Sequence, residues 1–265
     1  MSERRRWLVV AAAILLAAVG IWLLVRALTR PVDETWERIL ETGVLRVCTD
    51  PSWPPFEYIR PDTGQVDGFD IELAGLLAER LAPGLRAQVV SVGFDGLYDA
   101  LLAGRCDAVL SALPYDPLRT EDVIYSVAYF NAGQVLLTRP EVAGIEGVDD
   151  LEGRVVGVDW GFVPQGDPRQ RELLRNLPVR RYDTAADALR ALHAGEVEAA
   201  IVDRISALSY MRECDGLVVV GEPIYDVNYI IPVRAESSTM LEKLDEALLE
   251  MRQDGTMEAL QGHWF

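Results

Sequence analysis

Charged and aromatic side chains directly follow four predicted strands, at 45–48, 107–112, 155–158 and 199–202. The residues at these four strand ends that could contact a ligand are Asp50, Trp53, Phe56, Ala112, Arg119, Trp160, Phe162 and Asp203. In open α/β sheets, ligands bind in the crevice beyond the carboxyl ends of the strands. The pattern therefore predicts one small-molecule site, with the ligand held between Arg119 and Asp203.

The two charged residues at the ends of this site suit opposite groups. Arg119 could form a bidentate pair with a ligand carboxylate, since its guanidinium is planar; the alternative is a surface arginine in a loop. Asp203 could accept hydrogen bonds from a ligand ammonium. It could equally be the N-cap of a helix at 204–212, and both roles are compatible.

The aromatic residues of this set could wall in an apolar part of the ligand. They are Trp53, Phe56, Trp160 and Phe162, and the alternative for each is a place in the hydrophobic core. Asp50 could cap a turn or make a second ammonium contact.

Catalytic and metal-binding motifs are missing from the sequence. It contains no GxSxG, no GxxxxGK[ST] and no HExxH, and His193 and His263 have no obvious nucleophile or metal partner. We expect no catalytic residue, no cofactor and no metal. Cys48, Cys106 and Cys214 are odd in number and widely spaced, so buried free thiols are the expectation.

The elements that must position these residues alternate between strand and helix in two series. One series follows residue 45 and the other follows residue 133, which indicates two α/β lobes with parallel sheets. The amphipathic segment at 238–253 has no third sheet to join, so it is expected to return to the first lobe. The predicted division is 1–30 membrane segment, 34–130 lobe 1, 131–224 lobe 2 and 225–265 return to lobe 1. Two chain crossings between the lobes would form a hinge.

The N-terminal segment reads as an uncleaved signal anchor. Residues 7–25 carry no charge and follow Arg4, Arg5 and Arg6, and the run is close to the roughly 20 apolar residues that span a bilayer. A long cleavable signal ending near 25–27 is the alternative. Either way the body is exported, and the anchor would hold it on the outer face of the cytoplasmic membrane.

The charge of the exported body excludes one class of partner. The chain has 42 acidic and 25 basic residues, and removing Glu3 with the five arginines of residues 1–30 leaves a net charge of about −21. Such a surface repels nucleic acid, so no DNA or RNA partner is expected.

Several segments, in order, resemble the family 3 extracellular solute-binding proteins, which are the polar amino acid receptors of ABC importers. The segments are Gly43–Val47, Pro54–Glu57, Gly68–Leu73, Phe94–Leu97, Asp107–Val109, Pro117–Thr120, Val155–Val158, Gly195–Ala199 with Asp203, Asp254–Thr256 and His263–Phe265. The resemblance runs from about residue 35 to residue 265.

The resemblance implies a two-lobed periplasmic-binding-protein fold that closes on its ligand, and an ABC permease as membrane partner. It also implies that Arg119 holds a ligand α-carboxylate, that Asp203 holds the α-ammonium, and that Trp53 and Phe56 line the pocket. Leu97 belongs to one of the matching segments and is expected at the ligand too.

The departures from the family pattern concern the ligand. Ala112 and Pro114 stand where hydroxyl or backbone donors usually meet the carboxylate, and proline has no N–H. Residues 161–164 read Gly-Phe-Val-Pro where a Gly-Ser/Thr-Thr turn is usual. A carboxylate would lose charge-assisted hydrogen bonds worth on the order of 1.5–3 kcal/mol each, which favours a bulkier, less polar or aromatic analogue of an amino acid.

Two other functions fit the same fold. A few relatives of the family are dehydratases acting on prephenate-like acids, and Asp50, Glu57 or Asp159 could serve as the general acid. An exported sensor or accessory subunit is the third possibility.

Overall fold

The computed structural model describes residues 33–164 and 168–265 of the 265-residue chain. The anchor predicted at 1–30 lies outside the described residues. Within the described ranges, no helix is both long enough and apolar enough to cross a membrane.

Eight helices of regular α geometry occur in the described ranges. They are α1 (Glu34–Thr42), α2 (Phe69–Leu81), α3 (Leu97–Leu102), α4 (Pro168–Asn176), α5 (Ala185–His193), α6 (Arg204–Glu213), α7 (Ser238–Gln253) and α8 (Thr256–Trp264). The ends of two helices show why they begin and stop where they do: Gly43 ends α1 with φ 66°, and the Thr184 side chain at the start of α5 accepts a hydrogen bond from the Asp187 N–H at 3.1 Å. Both follow from the preferences of helix termini.

The strands described in the first part of the chain are β1 (Val44–Thr49), β2 (Ser52–Trp53), β3 (Glu57–Ile59), β4 (Val66–Asp67), β5 (Arg86–Ser91), β6 (Ala108–Val109), β7 (Val123–Tyr125) and β8 (Phe130–Asn131). Those that follow are β9 (Gln134–Thr138), β10 (Val156–Asp159), β11 (Val179–Tyr182), β12 (Ala199–Asp203), β13 (Val218–Tyr225), β14 (Asn228–Tyr229) and β15 (Pro232–Arg234).

Two five-stranded sheets carry the architecture. The first has the order β5-β1-β6-β15-β7 and the second β11-β10-β12-β9-β13. In each, the three strands from the βαβ units run parallel, a fourth strand (β15 or β9) pairs antiparallel with them, and the fifth (β7 or β13) pairs antiparallel with the fourth. The sequence signals predicted parallel sheets, so the antiparallel strands are a correction. They arise because the chain enters the second sheet through β9 and re-enters the first through β15 after crossing between the sheets.

The two chain segments that cross between the two sheets pair with each other. β8 and β14 form a two-stranded antiparallel sheet, with Asn131 opposite Asn228 and Phe130 opposite Tyr229. Beside it, a Cβ atom at Gly133 would lie 1.8 Å from the carbonyl oxygen of Tyr225. Only glycine allows so close an approach of two backbones. A narrow two-strand connection of this kind is suited to hinge motion.

Cys48 and Cys106 form a disulfide with an S–S distance of 2.08 Å. The expectation of buried free thiols was therefore wrong for this pair. Cys48 lies on β1, and Cys106 lies two residues before β6, the parallel neighbour of β1. This places the Cα atoms 5.6 Å apart, within the range that a disulfide spans, although 58 residues separate the two in sequence. Cys214, at the end of α6, is free.

Candidate functional site

A cavity of about 380 Å³ opens at the carboxyl ends of β1 and β6. Its lining residues come from the strand-end loops and from the second chain crossing: Asp50, Ser52, Trp53, Glu57, Phe94, Ser111, Ala112, Pro114, Val227 and Tyr229. The structure thus brings three sequence-predicted residues together here, namely Asp50, Trp53 and Ala112. The location agrees with the general position of ligand sites in α/β sheets.

Asp50 is fixed at one side of this cavity by two backbone contacts. Its Oδ2 accepts a hydrogen bond from the Phe94 N–H at 3.1 Å, and its own N–H donates to Ser111 Oγ at 2.9 Å. The carboxylate therefore joins two loops that meet at the sheet edge. The bond to Phe94 links Asp50 to a loop 44 residues away, and an ammonium contact of Asp50 stays a prediction.

Glu57 provides a buried carboxyl group among the lining residues. Its side chain is 1 % exposed, and its Oε1 accepts a hydrogen bond from Ser111 Oγ at 3.1 Å. Burial, followed by repulsion from Asp70, raises the pKa of Glu57 to about 10. At neutral pH this carboxyl is protonated.

Asp70, beneath the cavity, holds the backbone of the site. Its Oδ2 accepts hydrogen bonds from the Ala112 N–H at 2.7 Å and the Tyr129 hydroxyl at 2.8 Å. Burial raises the pKa of Asp70 to about 6, and these two bonds lower it. Ala112 has φ 43°, a left-handed conformation that costs energy for a residue with a Cβ atom. The Asp70 contact stabilises this turn.

The walls of the cavity are apolar. Trp53 is 55 % exposed and Phe94 is similarly open to solvent, while Tyr229 is buried and pairs with Pro114 in an isolated bridge. Burial raises the pKa of the Tyr229 phenol to about 12, so it stays neutral. Aromatic faces and a proline without an N–H make this an environment for an apolar ligand body.

Arg119 does not line this cavity. Its guanidinium carbon lies 4.5 Å from the centre of the Tyr98 ring, its Nε lies 3.7 Å from Asp116 Oδ2, and its side chain is 46 % exposed. They are a cation–π contact and a surface ion pair, and neither is a hydrogen bond to the guanidinium. A contact between Arg119 and a ligand carboxylate stays a prediction.

On the second sheet, Asp203 ends β12 and caps α6. Its Oδ1 accepts a hydrogen bond from the Ser206 N–H at 2.8 Å, which confirms the N-cap role. Burial raises the pKa of Tyr225, and the charges of Asp203 and Asp159 raise it further. Asp159 ends the neighbouring parallel strand β10, so two carboxylates occupy this sheet edge.

Trp160 lies at the same edge and is 67 % exposed. Its indole Nε1 donates to Asp183 Oδ1 at 3.2 Å, and the Arg181 guanidinium lies 5.9 Å from its ring. Trp160 therefore presents an open aromatic face next to Asp159, as a ligand-contacting residue would.

Three expected ligand contacts are core residues instead. Phe56 is fully buried, with its ring 5.0–5.6 Å from those of Phe69, Phe130, Tyr229 and Phe265. Phe162 packs into the second lobe's core, and Leu97 lies on the buried face of α3. The expectation that these three line the pocket was wrong, since burying a large apolar side chain is the more favourable use.

Seven lining residues that were not selected as ligand contacts complete the cavity: Ser52, Glu57, Phe94, Ser111, Pro114, Val227 and Tyr229. Glu57 and Phe94 belong to segments that the sequence comparison with the family singled out. Val227 and Tyr229 come from the second crossing, more than 100 residues away from the other lining residues, and no local pattern marks them.

The model of the bacterial extracellular solute-binding proteins, family 3, matches residues 45–265. The chain belongs to this family. The L-cystine-binding protein TcyJ of Escherichia coli strain K12 is 30 % identical over 230 residues, which cover 86 % of this chain and 85 % of that protein. The arginine-binding extracellular protein ArtP of Bacillus subtilis strain 168 is 28 % identical over 220 residues, covering 82 % of this chain and 84 % of that protein.

Among solved structures, an ancestral cyclohexadienyl dehydratase is similar to this family member with a TM-score of 0.71 and 27 % identity. The alignment covers 86 % of this chain and 94 % of the dehydratase. The two-lobed α/β fold predicted from the sequence is thus confirmed.

Proposed function

We propose that this protein is the receptor of an ABC importer and captures a small, amine-bearing solute outside the cytoplasm by closing its two lobes. The observation that carries the proposal is the cavity at the first sheet edge, with Asp50 and two open aromatic walls, placed beside a two-strand hinge. Membership of a solute-binding family supports it, as do relatives named for binding cystine and arginine.

Residues on both sheets would contact the solute. Asp50, Trp53 and Ala112 line the cavity of the first lobe. Asp203 and Trp160 would approach from the second lobe when the hinge formed by β8 and β14 closes. The lobe boundaries that go with this motion are 34–130 and 225–265 for lobe 1, and 131–224 for lobe 2.

Isothermal titration calorimetry against amino acids and amines tests the receptor function, and small-angle X-ray scattering tests closure. The expected result is micromolar or tighter binding of at least one small solute together with a smaller radius of gyration. Asp203→Asn is the matched variant, because asparagine keeps the N-cap hydrogen bond but removes the charge. It should weaken binding of an ammonium ligand and leave the melting temperature unchanged. A protein that binds no small solute and does not close would contradict the proposal.

We also propose that residues 1–30 anchor the receptor to the outer face of the cytoplasmic membrane. The uncharged run at 7–25 behind three arginines supports this. Alkaline extraction of membranes should leave the full chain in the pellet and release a variant that starts at residue 33 behind a cleavable signal. Release of a chain shortened by its N-terminal segment would support cleavage instead.

A dehydratase is the second candidate function, because Glu57 supplies a protonated carboxyl to the cavity lining. A general acid must be protonated in the resting enzyme, and a dehydratase shares the fold. The test is loss of prephenate in the presence of the purified protein. Turnover that Glu57→Gln abolishes would establish the enzyme, and no turnover is expected if the receptor proposal is right.

A further inference from the structure

We infer that Asp70 is a positioning residue that joins the solute cavity to the hinge. Its buried carboxylate holds the turn at residues 111–112 and the chain crossing at Tyr129 as one hydrogen-bonded unit, so that neither moves without the other. Asp70 itself does not line the cavity. The inference rests on the proposed receptor function and adds to it the residue through which the cavity wall and the hinge are connected.

Asp70 is a fully buried acid at the start of α2. Its side chain is 0 % exposed, and it is the second residue of the helix, where the helix dipole favours a negative charge. A carboxylate that is removed from water has to be stabilised by hydrogen bonds. The groups that donate to Asp70 are therefore held firmly in place.

Two of these donors come from distant parts of the chain and meet at one oxygen. Oδ2 of Asp70 accepts hydrogen bonds from the Ala112 N–H at 2.7 Å and from the Tyr129 hydroxyl at 2.8 Å. Ala112 lines the cavity, and Tyr129 directly precedes β8 in the first chain crossing. A single carboxylate oxygen thus connects the cavity wall to the hinge.

The cavity end of this unit is a strained turn that is held at both of its residues. Ala112 has φ 43°, a conformation that persists in a residue with a Cβ atom only where its surroundings fix it. Ser111, next to it, donates from its Oγ to Glu57 Oε1 at 3.1 Å, and Glu57 is hydrogen-bonded to Asp70. Asp70 therefore holds Ala112 directly and Ser111 through Glu57.

The proton between the two acids completes this connection. Burial, followed by the charge of Asp70, raises the pKa of Glu57 to about 10. Burial also raises the pKa of Asp70, to about 6, while its hydrogen bonds to Ala112, Tyr129 and Glu57 lower it. At neutral pH Glu57 thus carries the proton and donates it to the ionised Asp70 carboxylate.

The hinge end of the unit reaches both chain crossings. The Tyr129 N–H donates to the carbonyl oxygen of Tyr229 at 2.9 Å, and Tyr229 belongs to β14 and lines the cavity. The Tyr129 ring is 1 % exposed and stacks on Phe69, the neighbour of Asp70, with ring centres 6.3 Å apart. Tyr129 can follow a rotation of the lobes only if its hydroxyl leaves Asp70 or the cavity turn moves with it.

Hydrogen-exchange mass spectrometry on the full chain in detergent tests this connection without a solute. Tyr129→Phe is the informative variant, because it removes one hydroxyl and keeps the ring that packs on Phe69. Exchange should become at least about threefold faster at residues 111–115 and stay unchanged in β10 and β12 of the second lobe. Tyr210→Phe makes the same chemical change on α6, outside the unit, and should leave both regions unchanged.

Two variants of Asp70 separate loss of the acceptor from a change of side chain. Asp70→Ala should make exchange at least about tenfold faster both at residues 111–115 and at residues 129–132. Asp70→Asn keeps an oxygen that can accept from Ala112 and Tyr129, and its amide can donate to Glu57. It should therefore retain most of the protection that Asp70→Ala loses.

Solute affinity provides a second readout. In calorimetry with L-arginine and L-cystine as probes, Tyr129→Phe should raise the Kd of a bound probe at least about threefold, although Tyr129 does not line the cavity. Tyr210→Phe should leave that Kd unchanged. An equal Kd in Tyr129→Phe and the wild type would contradict the inference.

The exchange results decide the inference independently of the receptor function. Wild-type exchange at residues 111–115 in Tyr129→Phe would overturn it, and so would faster exchange in Asp70→Ala that stays confined to one end of the unit. Failure of the receptor function is a different result: the wild type would bind no small solute, whatever the exchange pattern shows.

Discussion

Replacing Cys48 and Cys106 together by alanine removes the covalent link between β1 and the segment that precedes β6. The disulfide closes a loop with a sequence separation of 58 residues. In the chain-entropy treatment, closing a loop of that length lowers the entropy of the unfolded chain by about 14 cal/mol/K, or about 4 kcal/mol at 25 °C. For a protein of this size each kcal/mol shifts the melting temperature by roughly 2–4 °C. We therefore expect the double variant to melt roughly 8–16 °C below the wild type.

Thermal unfolding followed by circular dichroism, with and without reductant, measures this effect. Reductant should lower the melting temperature of the wild type by a similar amount, because it breaks the same bond without changing a side chain, and should leave the double variant unchanged. Cys214→Ala is the matched control, since Cys214 is free, and it should show the full sensitivity to reductant. Thiol titration of the denatured, unreduced wild type should find one thiol per chain.

Two results would refute the reasoning. One is a double variant that melts within about 2 °C of the wild type under oxidising conditions. The other is a count of three thiols before reduction, which would mean that Cys48 and Cys106 are not bonded in the protein.

Three further predictions concern the site and the hinge. The pKa of Glu57 is raised from 4.5 to about 10 in the folded state, so the free energy of unfolding of the wild type should fall as the pH rises through this range. Denaturant titrations at several pH values should show a flatter dependence of stability on pH in Glu57→Gln. An identical pH dependence in the two proteins would contradict a buried neutral acid. Gly133→Ala should lower stability or impair lobe closure, since its Cβ would meet the Tyr225 carbonyl oxygen at 1.8 Å. An unchanged melting temperature together with an unchanged change in radius of gyration on ligand binding would count against this contact. Phe56→Ala should lower the free energy of unfolding by about 3–5 kcal/mol in chemical denaturation. Trp53→Ala, at an exposed position, should lose little stability but weaken ligand binding. The reverse pattern would contradict a core role for Phe56 and a ligand contact for Trp53.

The sequence alone determined the alternation of strands and helices in two series, and it predicted the strand ends at which we expect a ligand to bind. These features depend on neighbours within a few residues, such as the glycine that ends α1 or the apolar face of α7. The two series indicated two lobes, and the segments shared with a known family added the expectation that the lobes close on a ligand; the match over residues 45–265 confirmed the family.

Tertiary structure decided which candidate side chains face the cavity. Phe56 and Trp53 are both aromatic and three residues apart, yet one is fully buried among four other rings and the other is 55 % exposed. The Cys48–Cys106 bond and the contribution of Tyr229 to the cavity likewise join residues that are 58 or more positions apart. A local pattern records that a side chain is apolar, charged or a thiol, but its partner depends on how distant strands are ordered in the sheet, and only the folded chain fixes that order.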